Sequence, residues 1–162
     1  MRLSRMILLM LVGIYLAQCA YYYAALPETV ASHFNAAGKP DGQMPKGVFM
    51  IFEVVLLFVI IGQSFLAPLM IDRLPDSMIN LPNKQYWLAP ERRAATIGML
   101  RNHFEWFSAG LLAVFVALNQ LVFRANLDHE NFSGRAATVI LGVFLTFVVV
   151  WLIILLRKFK IN

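Results

Sequence analysis

The sequence has little charge and almost no cysteine. Only 14% of its 162 residues are charged, whereas soluble domains carry about 25%. The single cysteine, Cys19, excludes an internal disulfide, and no Cys/His spacing typical of a zinc site is present. Together with 60% hydrophobic residues, this composition indicates a membrane protein. It predicts neither a metal nor another cofactor.

Four apolar runs account for most of the hydrophobic content. Each is long enough for a helix that crosses a membrane, which takes about 20 residues, and a segment surrounded by lipid satisfies its own backbone only as a helix. The runs are Met6–Ala25, Val48–Ile71, Phe104–Phe123 and Ala136–Leu156. We therefore predict an all-α membrane protein, a single domain over residues 1–162, with a four-transmembrane-helix bundle and a structured extracytoplasmic loop. The first run is longer than most signal-peptide cores, so we expect an uncleaved anchor.

The basic residues predict the orientation of the bundle. Ten of the 14 Lys and Arg residues precede the first run, lie between the second and third, or follow the fourth. They are Arg2, Arg5, Arg73, Lys84, Arg92, Arg93, Arg101, Arg157, Lys158 and Lys160. Because cytoplasmic loops are enriched in Lys and Arg, we predict a bacterial inner-membrane protein with both termini and the 72–103 loop in the cytoplasm. These residues flank apolar runs and form no patch of their own, which argues against nucleic-acid binding.

The loop between the first two runs has local structural signals. Pro40-Asp41-Gly42 is typical of a turn, because Pro presets φ, Asp bonds nearby backbone and Gly tolerates a positive φ. The stretch Thr29–Phe34 predicts a short surface helix.

The same loop carries a spaced motif of Leu-Pro, His-aromatic-Asn, Gly-x-Pro-Asp-Gly and a Lys at the start of the next run. Its residues are Pro27, His33, Phe34, Asn35, Gly38, Pro40, Asp41, Gly42 and Lys46. The motif resembles the signature of the bacterial membrane family called domain of unknown function 1648, and the segment 80–93 is also similar to one in short members. The same module occurs in SdpI-type proteins, so the resemblance implies a role like immunity to a secreted peptide toxin and the relay of its presence.

Two side chains of this motif have more than one interpretation. His33 and Asp41 could be metal ligands or a proton-active pair, or they could bond the backbone of their own loop. We favour the second interpretation, because no cysteine or second histidine lies nearby.

A carboxylate inside an apolar run indicates function by default. Glu53 lies about 9 Å below Gly47, the residue before the second run, at about 1.5 Å per residue. The same depth in the first and third runs holds Gln18, Asn119 and Gln120, which predicts an intramembrane polar layer. The layer could join helices or line a small cavity. Alternatively, Glu53 could reach headgroups or Lys46, seven residues back.

The loop 72–103 is interrupted by prolines, and Glu91–Asn102 predicts a helix that leads into the third run. Arg101 and Glu105 are one turn apart, which predicts an ion pair. Four aromatic or basic residues are expected to contact either lipid headgroups or a protein partner. They are Tyr86, Trp87, Arg92 and Arg93.

Three functions remain open. No nucleophile elbow, phosphate loop or paired-carboxylate motif is present, so a binding or interaction protein, with an accessory, sensor or immunity-like role, is favoured. Its expected partners are the lipid bilayer and another membrane protein or a peptide ligand. The alternatives are a small transporter or channel subunit that uses Glu53 and the polar layer, and a membrane enzyme that uses His33, Asp41 or Glu53.

Overall fold

The computed structural model describes residues 1–128 and 131–160. In chain order its elements are α1 (Leu3–Ala25), β1 (Thr29–Phe34), β2 (Pro40–Pro45), α2 (Lys46–Arg73), one turn of 3₁₀ helix (Asp76–Met78), α3 (Lys84–Trp87), α4 (Pro90–Leu127) and α5 (Gly134–Lys158). The helices α1, α2, α4 and α5 are long and apolar enough to cross a membrane. The predicted helical membrane bundle is thus confirmed. Helices α1, α2 and α5 are a few residues longer than their apolar runs, and α4 is nearly twice as long as its run.

Helix α4 is the centre of the bundle. Both α1 and α2 pack against it, and α5 packs on α4. Its 38 residues make it about 57 Å long at about 1.5 Å per residue, which exceeds the hydrocarbon core of about 30 Å. The predicted helix Glu91–Asn102 is the first part of α4, which continues without a break into the third span.

The two ends of the bundle differ in structure. We call the end that carries β1 and β2 the hairpin end, and the opposite end, where α1 begins and α5 finishes, the termini end. The main apolar core lies between α1, α2 and α4 and consists of Leu8, Tyr15, Leu57, Ile60, Ala109 and Leu112. A second cluster supports the hairpin and consists of Leu26, Val30, Phe49 and Phe123.

The segment Thr29–Phe34 is a β-strand, so the helix predicted there is wrong. It pairs antiparallel with β2, with Val30 opposite Met44 and Ala31 opposite Gln43. Pro45 favours an extended β2, because a residue that precedes proline is pushed towards extended conformations, and the segment Thr29–Phe34 pairs with that strand. A six-residue stretch is also too short to form a helix without tertiary support, and Val30 is instead buried in the core below the hairpin.

The chain reverses earlier than the Pro40-Asp41-Gly42 turn that the sequence predicts. Asn35 and Lys39 close the hairpin through an N–H to carbonyl bond of 2.9 Å, and Pro40 already belongs to β2. The Asn35 Oδ1 accepts from the backbone N–H of Ala37 at 2.9 Å and of Lys39 at 3.1 Å. Gly38 supplies the positive φ of 76° that a residue with a side chain adopts only at a cost.

Candidate functional site

The hairpin is fastened to the bundle by Asn126, close to the last residue of α4. The Asn126 Oδ1 accepts the backbone N–H of Ala31 at 2.7 Å, and its Nδ2 donates to the Ala31 carbonyl at 3.0 Å. The bond from the Lys46 N–H to the Glu28 carbonyl sets the alternation of the ladder, so that Ala31 turns both backbone groups away from β2. The side-chain amide of Asn126 therefore occupies the position of a neighbouring strand.

Among the described residues, 1–128 and 131–160, the same alternation leaves the other edge of the sheet open. Gln43 lies opposite Ala31, so its backbone N–H and carbonyl point away from β1. Gln43 is exposed. Prolines at positions 40 and 45 bound this edge and limit its length, because they have no N–H to donate.

The tip of the hairpin is held by the segment before α5. The Phe132 N–H donates to the Gly38 carbonyl at 2.9 Å, and the rings of Phe34 and Phe132 stack with centroids 4.8 Å apart. A Cβ at position 38 would collide with the Phe132 carbonyl oxygen, so this close approach also requires glycine. The motif residues Phe34 and Gly38 thus attach the tip of the hairpin to the segment that leads into α5.

Lys46 closes the base of the hairpin. Its Nζ lies 3.0 Å from the Glu28 carboxylate and donates to the Leu26 carbonyl at 3.2 Å. The ammonium also lies 5.1 Å from the centre of the Tyr23 ring. The interpretation in which Lys46 reaches Glu53 is therefore wrong, because its partners lie at the hairpin.

His33 and Asp41 meet on the exposed surface of the hairpin. The His33 Nδ1 and a carboxylate oxygen of Asp41 are bonded, and the His33 side chain is 74% exposed. The two residues bond each other, so the expectation that they bond the loop's own backbone is not what the contacts show. Gly42 lies beneath this pair, since a Cβ there would come within 2.9 Å of the His33 Cβ. Among residues 1–128 and 131–160, no three His, Cys, Asp or Glu side chains form a group that could hold a metal ion.

A cavity of about 350 Å³ opens between the hairpin and the end of α4. Its lining includes Thr29, Ala31, Gln43, Asn126 and Asn131. The side chain of Gln43 thus faces a recess, while its backbone lies at the open edge.

Within the membrane, Glu53 is almost completely buried, with 4% of its surface exposed. Its Oε2 accepts from the Asn119 Nδ2 at 2.6 Å and from the hydroxyl of Tyr15. Tyr15 has no exposed surface and was not among the residues selected from the sequence. An aromatic residue in an apolar run gives no signal of its own, and only its place one turn before Gln18 could have suggested it.

The other two residues of the predicted polar layer form a separate cluster. The Gln18 Nε2 donates to the Gln120 Oε1 at 3.0 Å and to the Val116 carbonyl at 3.1 Å. Gln120 in turn donates to the Tyr22 hydroxyl at 2.6 Å. The structure thus joins the four residues pairwise, Glu53 with Asn119 and Gln18 with Gln120, and each pair bridges α4 to another helix.

At the termini end, Glu105 contacts α1, so the ion pair predicted with Arg101 is wrong. Glu105 is 1% exposed and lies 2.7 Å from the Arg5 guanidinium. It also accepts the Ser4 hydroxyl at 2.7 Å. A buried carboxylate needs partners inside the protein, and α1 provides both a charge and a hydroxyl on the face of α4 where Glu105 lies.

The four residues selected in the 72–103 loop divide into two pairs. Arg93 donates to the Asp76 carboxylate at 2.7 Å and to the carbonyl of Ile71 at 3.0 Å, so it fastens the end of α2. Trp87 donates to the Phe159 carbonyl at 3.3 Å. Tyr86 is exposed and carries the guanidinium of Arg92 4.0 Å above its ring, so these two remain available at the surface.

The comparisons with known proteins concern the first part of the chain. The chain has no match among the curated proteins or among the solved structures. A family match extends from the middle of α1 through the hairpin to the middle of α2, and so includes Tyr15, Gln18 and Glu53 as well as the loop motif. Asn119, Gln120 and Asn126, which complete these contacts, come from α4 outside the matched segment. Residues 10–61 match the model of the family described as Domain of unknown function (DUF1648), which confirms the family resemblance of the loop motif.

Proposed function

We propose that the protein is a membrane-embedded interaction protein that binds a partner at its hairpin end. The observation that supports this most is the asymmetry of the sheet: β1 is closed by Asn126, whereas β2 has an open edge. A small sheet fixed rigidly to a helical bundle presents that edge in one orientation. An accessory, sensor or immunity-like role uses such a surface and needs no catalytic group.

The proposed orientation places the hairpin end outside the cytoplasm of a bacterial inner membrane. Ten of the 14 basic residues belong to segments at the termini end or to the loop on that side. Cytoplasmic segments next to spans carry an excess of Lys and Arg. The surface of the hairpin would then meet partners in the extracytoplasmic space.

The open edge suits an extended segment of a peptide or of another membrane protein. An added strand pairs with exposed backbone groups, while pockets beside the edge select its side chains. Gln43 supplies the backbone groups, and the neighbouring cavity of about 350 Å³ supplies a recess. The exposed pair of His33 and Asp41 adds polar contacts on the same hairpin.

The transporter alternative has less support from the contacts inside the bundle. Between Glu53 and the termini end, the buried hydroxyls of Ser64 and Ser108 donate to backbone carbonyls of α2, at 2.7 and 2.9 Å. A hydroxyl that is bonded to helix backbone offers little to a passing solute. In the described residues, the polar groups thus form separate clusters whose hydrogen bonds are made within the bundle, which favours binding over transport.

Site-specific photocrosslinking in cells tests the proposal. A photoreactive residue at Gln43 is expected to form an adduct of defined mass, whereas one at Arg135, also exposed at the hairpin end, is expected to form none. The His33→Ala/Asp41→Ala variant should weaken the Gln43 adduct at an unchanged protein level. Equal adducts from both positions, or no adduct at Gln43 in folded protein, would contradict a partner at this edge.

A further inference from the structure

A seam between α4 and α5 contains two cavities on the lipid-facing side of the bundle. The cavity nearer the termini end has a volume of about 290 Å³. The second, of about 410 Å³, lies towards the hairpin end and is lined entirely by apolar residues and glycine. Phe147 lines both cavities, so the two cavities lie on either side of this residue.

The cavity nearer the termini end is built on a fixed contact between the two helices. The Trp151 indole donates to the His103 carbonyl at 3.0 Å, and the His103 Nε2 lies 3.1 Å from the Trp151 carbonyl. The two rings stack with centroids 4.4 Å apart. This reciprocal pair holds α5 on α4 and gives the cavity a rigid wall.

The chemistry of this cavity changes along its length. At the termini end it is lined by Lys158 and Asn102, and further in by Ile154, Val150, Trp106 and Phe147. The Asn102 Oδ1 is taken by the Ser4 hydroxyl at 2.7 Å, so Asn102 contributes its amide donor to the cavity. Its lining contains no acidic residue.

The dimensions match one leaflet of a membrane. Lys158 and Phe147 are eleven residues apart on α5, which is about 17 Å at about 1.5 Å per residue. One leaflet contributes about half of a hydrocarbon core of about 30 Å. A headgroup beside Lys158 therefore places the end of an acyl chain near Phe147.

We propose that this cavity binds one anionic phospholipid from the leaflet at the termini end. The phosphate is held by the ammonium of Lys158 and the amide of Asn102, and Trp106 lies deeper, beside the acyl chain. One acyl chain follows the groove past Ile154 to Phe147. The basic polar end favours an anionic headgroup over a zwitterionic one, because no carboxylate of the cavity opposes it.

Native mass spectrometry of the detergent-purified full chain tests the headgroup, with phosphatidylglycerol and phosphatidylcholine added separately. One phosphatidylglycerol per chain is expected to stay bound at activation energies that remove phosphatidylcholine. Lys158→Gln should weaken phosphatidylglycerol binding about fivefold, which corresponds to about 1 kcal/mol for one basic residue at a membrane surface. Lys160→Gln removes the same charge two residues away, outside the cavity, and should leave binding unchanged.

A second pair of variants tests where the acyl chain binds. Ile154→Trp fills the cavity, whereas Ile153→Trp adds the same bulk beside it, and both isoleucines are 44% exposed. Only Ile154→Trp should abolish retention of the lipid. Equal retention of the two lipids, or equal effects within either pair of variants, would overturn the proposal and leave only general attraction between basic residues and anionic membranes.

Discussion

The partners of Glu53 determine what this buried carboxylate can do. Its Oε2 accepts from Tyr15 on α1 and from Asn119 on α4, so one oxygen connects three helices. Hydrogen bonds between membrane helices stabilise a bundle by about 0.6–2 kcal/mol each. A carboxylate with two donors of this kind is suited to holding helices together.

Substitutions of Glu53 separate a structural role from a transport role. Glu53→Gln keeps an oxygen for both donors and is expected to change the free energy of unfolding by less than about 1 kcal/mol. Glu53→Leu leaves the Tyr15 hydroxyl and the Asn119 amide unpaired, which should cost about 1–3 kcal/mol. Thermal unfolding in detergent measures both, with Val54→Leu on the exposed side of α2 as the control. A stable Glu53→Gln protein that has lost a cellular phenotype would instead support transport.

The depth of a residue along its span can be read from the sequence, but its partner often cannot. Counting residues from the span ends brings Glu53 and Asn119 to one level, where the structure joins them. Glu105 shows the opposite case, because its nearest basic neighbour in sequence is Arg101, yet its partner is Arg5, 100 residues away. Packing decides which face of a helix contacts which neighbouring helix. The spacing of residues along one helix does not identify that neighbour.

The hairpin depends on α4 for its position. Asn126 satisfies both backbone groups of Ala31, which would otherwise lose their partners while being buried. An isolated two-stranded hairpin is marginally stable at best in water. The sheet therefore owes its order to a side chain that lies outside the hairpin sequence.

Removal of the Asn126 amide should loosen β1 without unfolding the bundle. Asn126→Ala is expected to lower the free energy of local opening by about 1–3 kcal/mol, measured as faster amide hydrogen exchange in residues 29–34. Asn126→Asp keeps the acceptor for the Ala31 N–H but sets a buried carboxylate oxygen against the Ala31 carbonyl, so its effect should be at least as large. Asn131→Ala, in the exposed segment before α5, serves as the control. Unchanged exchange in Asn126→Ala would show that the tip contacts with Phe132 suffice.

The elements differ in how well local sequence specifies them. The four long helices follow from apolar runs, since lipid leaves the backbone no other solution. The hairpin was predicted as a helix followed by a turn, because local propensity does not include Asn126 or Phe132. Both residues lie about 95 positions further along the chain than the residues they contact, and they fix the strand and the turn that the loop adopts.

At the scale of the molecule, the orientation in the membrane can be tested with reporter fusions. Fusions at both termini and within residues 72–103 are expected to report the cytoplasm, because ten of the 14 basic residues lie on that side. Fusions near Lys39 and Asp128 should report the opposite compartment. A cytoplasmic signal near Lys39 would also remove the hairpin from contact with extracytoplasmic partners.

The central position of α4 has a consequence for how the protein is made. Chains are synthesised from the N-terminus, so α1 and α2 enter the membrane before α4 exists. Until then, Glu53 has Tyr15 as a partner but lacks Asn119, and Gln18 lacks Gln120. The first two helices are thus an incomplete intermediate with unpaired polar groups in lipid. We expect the insertion of α4 to be the step that commits the bundle to its final packing.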